Sequence, residues 1–296
     1  MSFRQNVRTS GLLVLLCWAW LAVPASAQEF KQIPGALAQI AAGRNEVFGR
    51  NSGSAIWRYN ASTKVFVSIP GSLVQVAVGG GSVSQTDEVW GLDDNGDVYR
   101  FNYSSKTFVQ VAGATLVQIT VGEGTQDNCH QYEVWGVSST QTIFRYNYCT
   151  KKFDPTPAGL LTSVVTGGGD VWGLNSSNKV FHYDFATESF NQVGTSAFAQ
   201  IAVGVNDVWA LTTSHAIYRY HPATNSFAKV TGTLSQIGAG GDGVWGVNSG
   251  QAIFRFDPAT ESFVQLNGTL SNIVVGSGAG VFGLNSADAV FTFVRP

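Results

Sequence analysis

Val171-Trp172-Gly173 is one copy of a short motif that recurs along the whole chain. Each copy has a valine, then an aromatic residue, then a small residue; the others are Val47-Phe48-Gly49, Val89-Trp90-Gly91, Val134-Trp135-Gly136, Val208-Trp209-Ala210, Val244-Trp245-Gly246 and Val281-Phe282-Gly283. The aromatic residues lie 42, 45, 37, 37, 36 and 37 positions apart. A period in this range is typical of propellers and other repeat architectures.

Two insertions account for the two long intervals. A glycine that ends the preceding segment lies five or six residues before the aromatic residue in most repeats, as Gly167 does before Trp172. In the second and third repeats this gap grows to 11 and 13 residues. The underlying period is therefore 36 to 37 residues, with insertions at 80–87 and 123–132.

Each repeat contains four short apolar segments. The first resembles 74–79, the second is the aromatic-glycine segment, the third resembles 252–256, and the fourth begins at a recurrent phenylalanine such as Phe66. Clusters of Asn, Ser, Asp and Gly separate them, as expected for hairpin turns. Four antiparallel strands per repeat predict a propeller blade, with the small and branched first strand lining the central channel.

The two ends of the chain complement each other. Residues 29–35 match the fourth segment of a repeat, whereas 289–294 is a third segment with no fourth after it. We therefore expect residues 28–296 to form an all-β, seven-bladed β-propeller in which the N-terminal strand pairs with the C-terminal blade. Six full blades, three C-terminal strands and the N-terminal strand would give 6 × 4 + 3 + 1 = 28 strands.

Residues 1–27 have the features of a secretory signal peptide. Arg4 and Arg8 precede an apolar run at 12–23, and 24–27 ends in an A-x-A-like cleavage site at Ala27. We expect a secreted protein, extracellular or periplasmic, with no membrane span in the mature chain. A net charge of −2 and a charged content of 12% give no electrostatic footprint for nucleic acid.

Of the three cysteines, Cys17 falls in the predicted signal peptide. Cys129 and Cys149 remain, and an isolated pair in an oxidising compartment indicates a disulfide. Strand direction alternates within a blade, so the connections between strands one and two and between strands three and four share a face. Each cysteine lies in one of these connections of the same repeat, which predicts that they meet.

The segment 32–43, followed by Val47-Phe48-Gly49, resembles the tectonin repeat, as does 171–175 leading to Val180. The resemblance covers residues 30–296. It implies a propeller lectin that binds glycans, such as a microbial surface polysaccharide. The chain departs from the family in opening its fourth strand with Phe rather than Trp, and in having seven repeats rather than six. Some turns also resemble those of kelch repeats, but the kelch double glycine is absent.

The third strand carries a basic residue in six repeats: Arg58, Arg100, Arg145, His182, Arg219 and Arg255. These side chains either stack on a neighbouring aromatic ring and pair with an acid such as Glu88, or present donors to sugar hydroxyls. The run 93–97 has oxygen ligands at alternate positions, as calcium loops do, but it lacks the bidentate Glu and fits an ordinary hairpin turn.

Insertions on one face of a repeat protein often form its binding face. We therefore predict a carbohydrate site on the inserted loops; its residues would be Glu123, Asp127, Asn128, His130 and Tyr132. No metal-binding histidine motif, nucleophile motif or phosphate-binding loop is present, so no metal or cofactor is predicted.

Three hypotheses for function follow. The favoured one is a secreted, non-catalytic lectin. The alternative is an extracellular protein-interaction scaffold, and the third is a lyase or hydrolase using Glu123 and Asp127. The sequence specifies neither the ligand nor the oligomeric state.

Overall fold

The computed structural model of the chain describes residues 29–80, 86–124 and 128–294. These residues form 28 strands in seven four-stranded antiparallel sheets, so the predicted seven-bladed propeller is confirmed. The predicted signal peptide, 1–27, lies outside the described residues. In the described part of the chain, no helix is long and apolar enough to cross a membrane.

We number the blades along the chain and give their strands from the axis outward. Blade 1 contains β2 (Gln39–Ala42), β3 (Val47–Arg50), β4 (Ala55–Asn60) and β5 (Val65–Ser72); blade 2 contains β6 (Gln75–Gly79), β7 (Glu88–Leu92), β8 (Asp97–Asn102) and β9 (Thr107–Thr115). Blade 3 contains β10 (Gln118–Glu123), β11 (Tyr132–Val137), β12 (Thr142–Asn147) and β13 (Lys152–Leu160); blade 4 contains β14 (Ser163–Gly167), β15 (Asp170–Leu174), β16 (Lys179–Asp184) and β17 (Ser189–Ala197).

Blade 5 contains β18 (Gln200–Val203), β19 (Val208–Leu211), β20 (Ala216–His221) and β21 (Ser226–Thr233), with a single 3-10 turn at Pro222–Thr224. Blade 6 contains β22 (Gln236–Gly240), β23 (Gly243–Val247), β24 (Ala252–Asp257) and β25 (Ser262–Thr269); blade 7 contains β26 (Asn272–Val275), β27 (Val281–Leu284), β28 (Ala289–Val294) and, as its outer strand, β1 (Glu29–Ala36).

The two ends of the chain close the ring. Strand β1 pairs antiparallel with β28, from Glu29 opposite Val294 to Ile33 opposite Val290. Phe30 also packs its ring edge-on against Trp245 of blade 6, at 5.9 Å between centroids. The predicted closure is therefore confirmed, and the third strand of blade 7 does not become an open edge.

An aromatic contact joins every pair of neighbouring blades. The aromatic residue of the second strand is almost fully buried and meets a third-strand ring of the next blade, as Trp90 meets Tyr146 at 4.7 Å. The other six contacts are Phe48–Phe101, Trp135–Tyr183, Trp172–Tyr220, Trp209–Phe256, Trp245–Phe293 and Phe282–Tyr59. Such edge-to-face pairs add about 0.5–1.5 kcal/mol each beyond the burial of their area.

The glycine of the motif makes room for the connection between blades. A Cβ atom on Gly91 would lie 2.4 Å from Cδ1 of Leu73, a buried residue of the segment that leads into blade 2. That Cβ would also lie 2.8 Å from the carbonyl oxygen of Gln75, so a larger residue at position 91 would force both the leucine and the neighbouring strand to shift. This close approach explains why an aromatic residue followed by glycine marks the repeat so regularly.

The two faces of the ring differ in their connections. The loop face carries the connections between first and second strands and between third and fourth strands of a blade, including the described ends of the two inserted ones at 80, 86–87, 124 and 128–131. The hairpin face carries the turns between second and third strands and the segments between blades, including 93–96 and 73–74. At the loop face the channel narrows to a mouth of about 80 Å³ lined by first-strand residues of all seven blades, as predicted for these strands.

Candidate functional site

The predicted disulfide is present on the loop face. Cys129 and Cys149 are bonded, with 4.9 Å between their Cα atoms. The backbone N–H of Tyr148 also donates to the carbonyl oxygen of Cys129 at 2.8 Å. The bond therefore fixes the inserted connection of blade 3 to the neighbouring turn of the same blade, which confirms the prediction.

The five residues predicted to bind carbohydrate differ in their surroundings. Glu123 and Tyr132 lie in strands rather than in a loop, because β10 and β11 extend through the insertion and pair these two residues. Asn128 is exposed and His130 half-buried, both beside the disulfide. Asp127 lies outside the described residues. The structure thus places the four described residues in one region of the loop face.

Glu123 forms an ion pair that the sequence did not suggest. Its carboxylate lies 3.2 Å from a guanidinium nitrogen of Arg44, on the connection between the first two strands of blade 1. The pair therefore crosses blade 2, since Glu123 belongs to blade 3. The two side chains are 26% and 30% exposed, with Glu123 at the mouth of the central channel. This places two opposite charges side by side on an accessible surface.

Tyr132 contacts both described ends of the blade 2 insertion, Gly80 and Thr86. A Cβ atom on Gly80 would lie 2.3 Å from Cδ1 of Tyr132, so the phenol ring covers that glycine closely. The hydroxyl donates to the carbonyl oxygen of Thr86 at 3.4 Å, and the ring lies 5.9 Å from that of Tyr148. Burial raises the pKa of Tyr132, so the phenol stays neutral and donates this bond. The ring lies half-buried between two blades rather than standing free.

Asp87, which sequence reasoning missed, positions the connection that carries Arg44. Its carboxylate accepts the backbone N–H groups of Asn45 and Glu46, each at 2.8 Å, although the residue is only 1% exposed. Burial raises the pKa of Asp87, opposed by these hydrogen bonds. Its sequence signal is weak, because Asp87 adjoins an insertion that the other repeats lack.

The third-strand arginines pair with acids and stack on rings. Arg100 donates from Nε to Glu88 at 2.8 Å, and its guanidinium carbon lies 5.3 Å from the ring centroid of Tyr148 in the next blade. Arg58 and Arg145 are paired with glutamates in the same way. Of the two roles predicted for this position, stacking and acid pairing is therefore correct for these three arginines, rather than donation to sugar hydroxyls. Their side chains connect neighbouring blades.

The run 93–97 is an ordinary hairpin turn. One carboxylate oxygen of Asp93 accepts the backbone N–H groups of Asn95 and Asp97, at 3.0 and 2.8 Å. Strand β8 then begins at Asp97. Within the described ranges, no group of three or more His, Cys, Asp or Glu residues is placed to hold a metal ion.

Comparisons with solved structures agree with this fold. The chain superposes on YCF48 in a structure with bound D1 peptide, with a TM-score of 0.68, 10% identity, and coverage of 93% of this chain and 99% of that one. Human WBSCR16 gives a TM-score of 0.64 at 9% identity, covering 90% and 88% of the two chains. Yeast RCC1 bound to Kap60 gives a TM-score of 0.63 at 13% identity, with coverage of 88% of this chain and 80% of that one. At these identities the likeness concerns the fold alone.

Comparison with curated protein sequences gives no match. The family model of the Tectonin domain, by contrast, matches residues 21–196 and 197–295, which together span nearly the entire propeller. The resemblance first drawn from the repeats is thereby confirmed. The chain belongs to the Tectonin domain family.

Proposed function

We propose that the protein is a secreted, non-catalytic carbohydrate-binding propeller whose ligand contacts the loop face above blades 1 to 3. The observation that carries this proposal is the partly exposed Arg44–Glu123 ion pair beside the disulfide-fixed insertion. Family membership supports it, because the tectonin resemblance implies lectins.

The chemistry of the pair suits sugar hydroxyls. A carboxylate accepts hydrogen bonds and a guanidinium donates them, so adjacent hydroxyls of a sugar ring can bond to both. Glu123 and Arg44 already hold each other, and Asp87 fixes the backbone on either side of Asn45. Less side-chain freedom is then lost on binding, which favours affinity. The exposed amide of Asn128 adds both a donor and an acceptor nearby.

Secretion is supported by two features. The predicted signal peptide at 1–27 would direct export, and the Cys129–Cys149 disulfide is of the kind that persists in oxidising compartments.

A glycan array probed with the purified secreted protein tests the proposal. We expect binding to at least one glycan or microbial polysaccharide. Glu123→Gln should weaken it about tenfold, the effect of losing a charged hydrogen bond. Glu261→Gln, which removes the same charge from an exposed turn of blade 6, is the matched control and should bind normally. Absence of binding to every glycan would disprove the proposal.

The alternative function, an extracellular protein-interaction scaffold, is favoured by one specific observation on the opposite face. The hairpin face carries a groove lined by Arg50 and by the exposed valines Val74 and Val117, and these apolar side chains have no role in binding a sugar.

A further inference from the structure

A groove of about 650 Å³ lies on the hairpin face and runs across blades 1 to 3. Arg50 lies in its wall, together with the exposed turn residue Asp94 and the valines Val74 and Val117. None of the described residues that line it is aromatic. The groove is separated by the thickness of the ring from the region proposed to bind carbohydrate.

Arg50 breaks the repeat at the last position of the second strand. The other six blades have an aliphatic residue there, and all six are buried: Leu92, Val137, Leu174, Leu211, Val247 and Leu284. Blade 1 therefore has a guanidinium where the scaffold otherwise has a hydrocarbon side chain. Packing does not require this arginine, since leucine performs the same role in four other blades.

The guanidinium of Arg50 lacks a charged partner among the described residues. Its one hydrogen bond is a long contact of 3.5 Å from Nη1 to the carbonyl oxygen of Asn51, and its Nε is buried with no acceptor. Of the other described arginines, five lie in ion pairs and Arg255 stacks on Trp245 instead; the five are Arg44, Arg58, Arg100, Arg145 and Arg219. The side chain as a whole is half-buried, and a carboxylate bound in the groove would give its guanidinium the charged partner that it lacks.

The valines are equally specific to this part of the ring. Val74 and Val117 are 39% and 60% exposed, on the segments that lead into blades 2 and 3. The corresponding residues elsewhere are smaller or polar: Ala38, Thr162, Ala199, Ser235 and Ser271. Exposed aliphatic side chains within a groove favour a ligand with apolar side chains of its own.

We propose that this groove binds an extended peptide segment of another protein. A carboxylate of the peptide pairs with Arg50, an aliphatic side chain packs on Val74 and Val117, and a cationic side chain lies against Asp94. An acidic polysaccharide would pair with Arg50 but leave the exposed valines without an apolar partner, so a peptide fits the groove better. The propeller then has a different ligand on each face.

An array of synthetic ten-residue peptides, probed with the complete protein, tests this inference. We expect the selected peptides to combine an acidic side chain or a free C-terminal carboxylate with an aliphatic residue and a Lys or Arg. Arg50→Leu should weaken their binding at least about tenfold, because it removes a charge-assisted bond. Asp94→Asn should weaken it less, because that carboxylate is exposed.

Two controls make the result decisive. Lys229→Leu removes a positive charge from the exposed outer strand of blade 5 and should leave peptide binding unchanged. Arg50→Leu introduces the residue type found in other blades, so the variant should fold and its melting temperature should not fall. Glycan binding by Arg50→Leu should also be normal, which separates this inference from the function proposed for the loop face.

The inference is overturned if no peptide is selected, or if the selected peptides bind Arg50→Leu as tightly as the unmodified protein. It is also overturned if an acidic polysaccharide such as polygalacturonate binds through Arg50 while peptides do not.

Discussion

The interface between blades 2 and 3 and that between blades 4 and 5 have nearly identical aromatic contacts but different polar ones. Trp90 meets Tyr146 at 4.7 Å in the first, and Trp172 meets Tyr220 at 4.7 Å in the second. The aromatic contact is thus nearly the same at the two interfaces, whereas the hydrogen bonds around it differ.

Two sets of polar contacts surround the interface between blades 2 and 3; the first crosses it, and the second lies within blade 2 beside it. The side-chain amide of Gln75 donates to the carbonyl oxygen of Ile119 and accepts its N–H, both at 3.0 Å. One oxygen of Glu88 accepts from Trp90 Nε1 at 2.9 Å and from Arg100 Nε at 2.8 Å. The glutamate therefore satisfies the buried indole and the arginine together.

Blades 4 and 5 lack both sets. Ser163 occupies the place of the glutamine and is too short to reach the next blade. Asp170 replaces the glutamate, lies 3.2 Å from His182, and leaves Nε1 of Trp172 buried without an acceptor. His182 stacks on Trp172 instead, with 4.3 Å between ring centroids. Apolar packing, which includes aliphatic residues such as Val180 and Ile201 besides the rings, holds blades 4 and 5 together without these polar contacts.

The largest effect is expected from Glu88→Ala. This change leaves Arg100 without its carboxylate and the buried indole of Trp90 without an acceptor, so we expect a loss of about 3 kcal/mol in the free energy of unfolding. The matched change, Asp170→Ala, removes one partly exposed contact and should cost about 1 kcal/mol or less. Urea denaturation measures both. Equal losses would mean that the two interfaces do not differ in their polar stabilisation.

A smaller loss is expected from Gln75→Ala. The change unpairs the N–H and C=O of Ile119 at a half-buried site, which should cost about 1–3 kcal/mol. Ser163→Ala at the same position of blade 4 should change stability by less than about 0.5 kcal/mol. Thermal unfolding of the two variants tests this, and a large loss in Ser163→Ala would contradict it.

A gain is expected from Asp170→Glu. The additional methylene should let the carboxylate reach Nε1 of Trp172, as Glu88 reaches Trp90, and stabilise the protein by about 1 kcal/mol. Asp170→Asn, which adds no length, serves as the control and should give no gain. If Asp170→Glu destabilises the protein, the indole of Trp172 does not need an acceptor.

The smallest effect concerns pH. Asp87 precedes Glu88 in blade 2, whereas blade 4 has Gly169 at that place. Burial raises the pKa of Asp87 in the folded protein, so the native state binds this proton more tightly than the unfolded chain does. Its contribution to stability is therefore favourable at low pH and decreases as pH rises from about 4, the unfolded value, through the raised pKa.

Urea midpoints of the unmodified protein and of Asp87→Asn, measured from about pH 4 to pH 7, test this sign. As pH rises, the free energy of unfolding of the unmodified protein should fall relative to that of Asp87→Asn. A shift in the opposite direction would show that the three backbone N–H groups around Asp87 outweigh its burial.

Most of the fold was predictable because each blade repeats the same constraints. The motif around Trp90, the match between 29–35 and 65–71, and the positions of Cys129 and Cys149 are all local patterns. Strand alternation then places the cysteines on one face without further information.

The contacts between blades were not predictable in the same way. A glutamine opens the first strand in five blades, but nothing in the sequence indicates that Gln75 bonds to the backbone 44 residues later. Arg44 and Glu123 are 79 positions apart and meet only because of the curvature of the ring. Sequence reasoning missed Arg50, because its departure from the aliphatic residues of the other blades gains meaning only from the lack of a charged partner in three dimensions.

The pairing of Glu29 with Val294 has a consequence for biosynthesis. Strand β1 receives its partner β28 only after all the strands between them have been synthesised, so the ring stays open until then. Contacts of such long sequence separation form slowly, and an unsatisfied strand invites pairing with other molecules in the meantime. A chaperone that shields the nascent N-terminus should therefore raise the yield of native protein. A circular permutant opened in a turn between two other blades would shift this vulnerable period to a different strand without abolishing it.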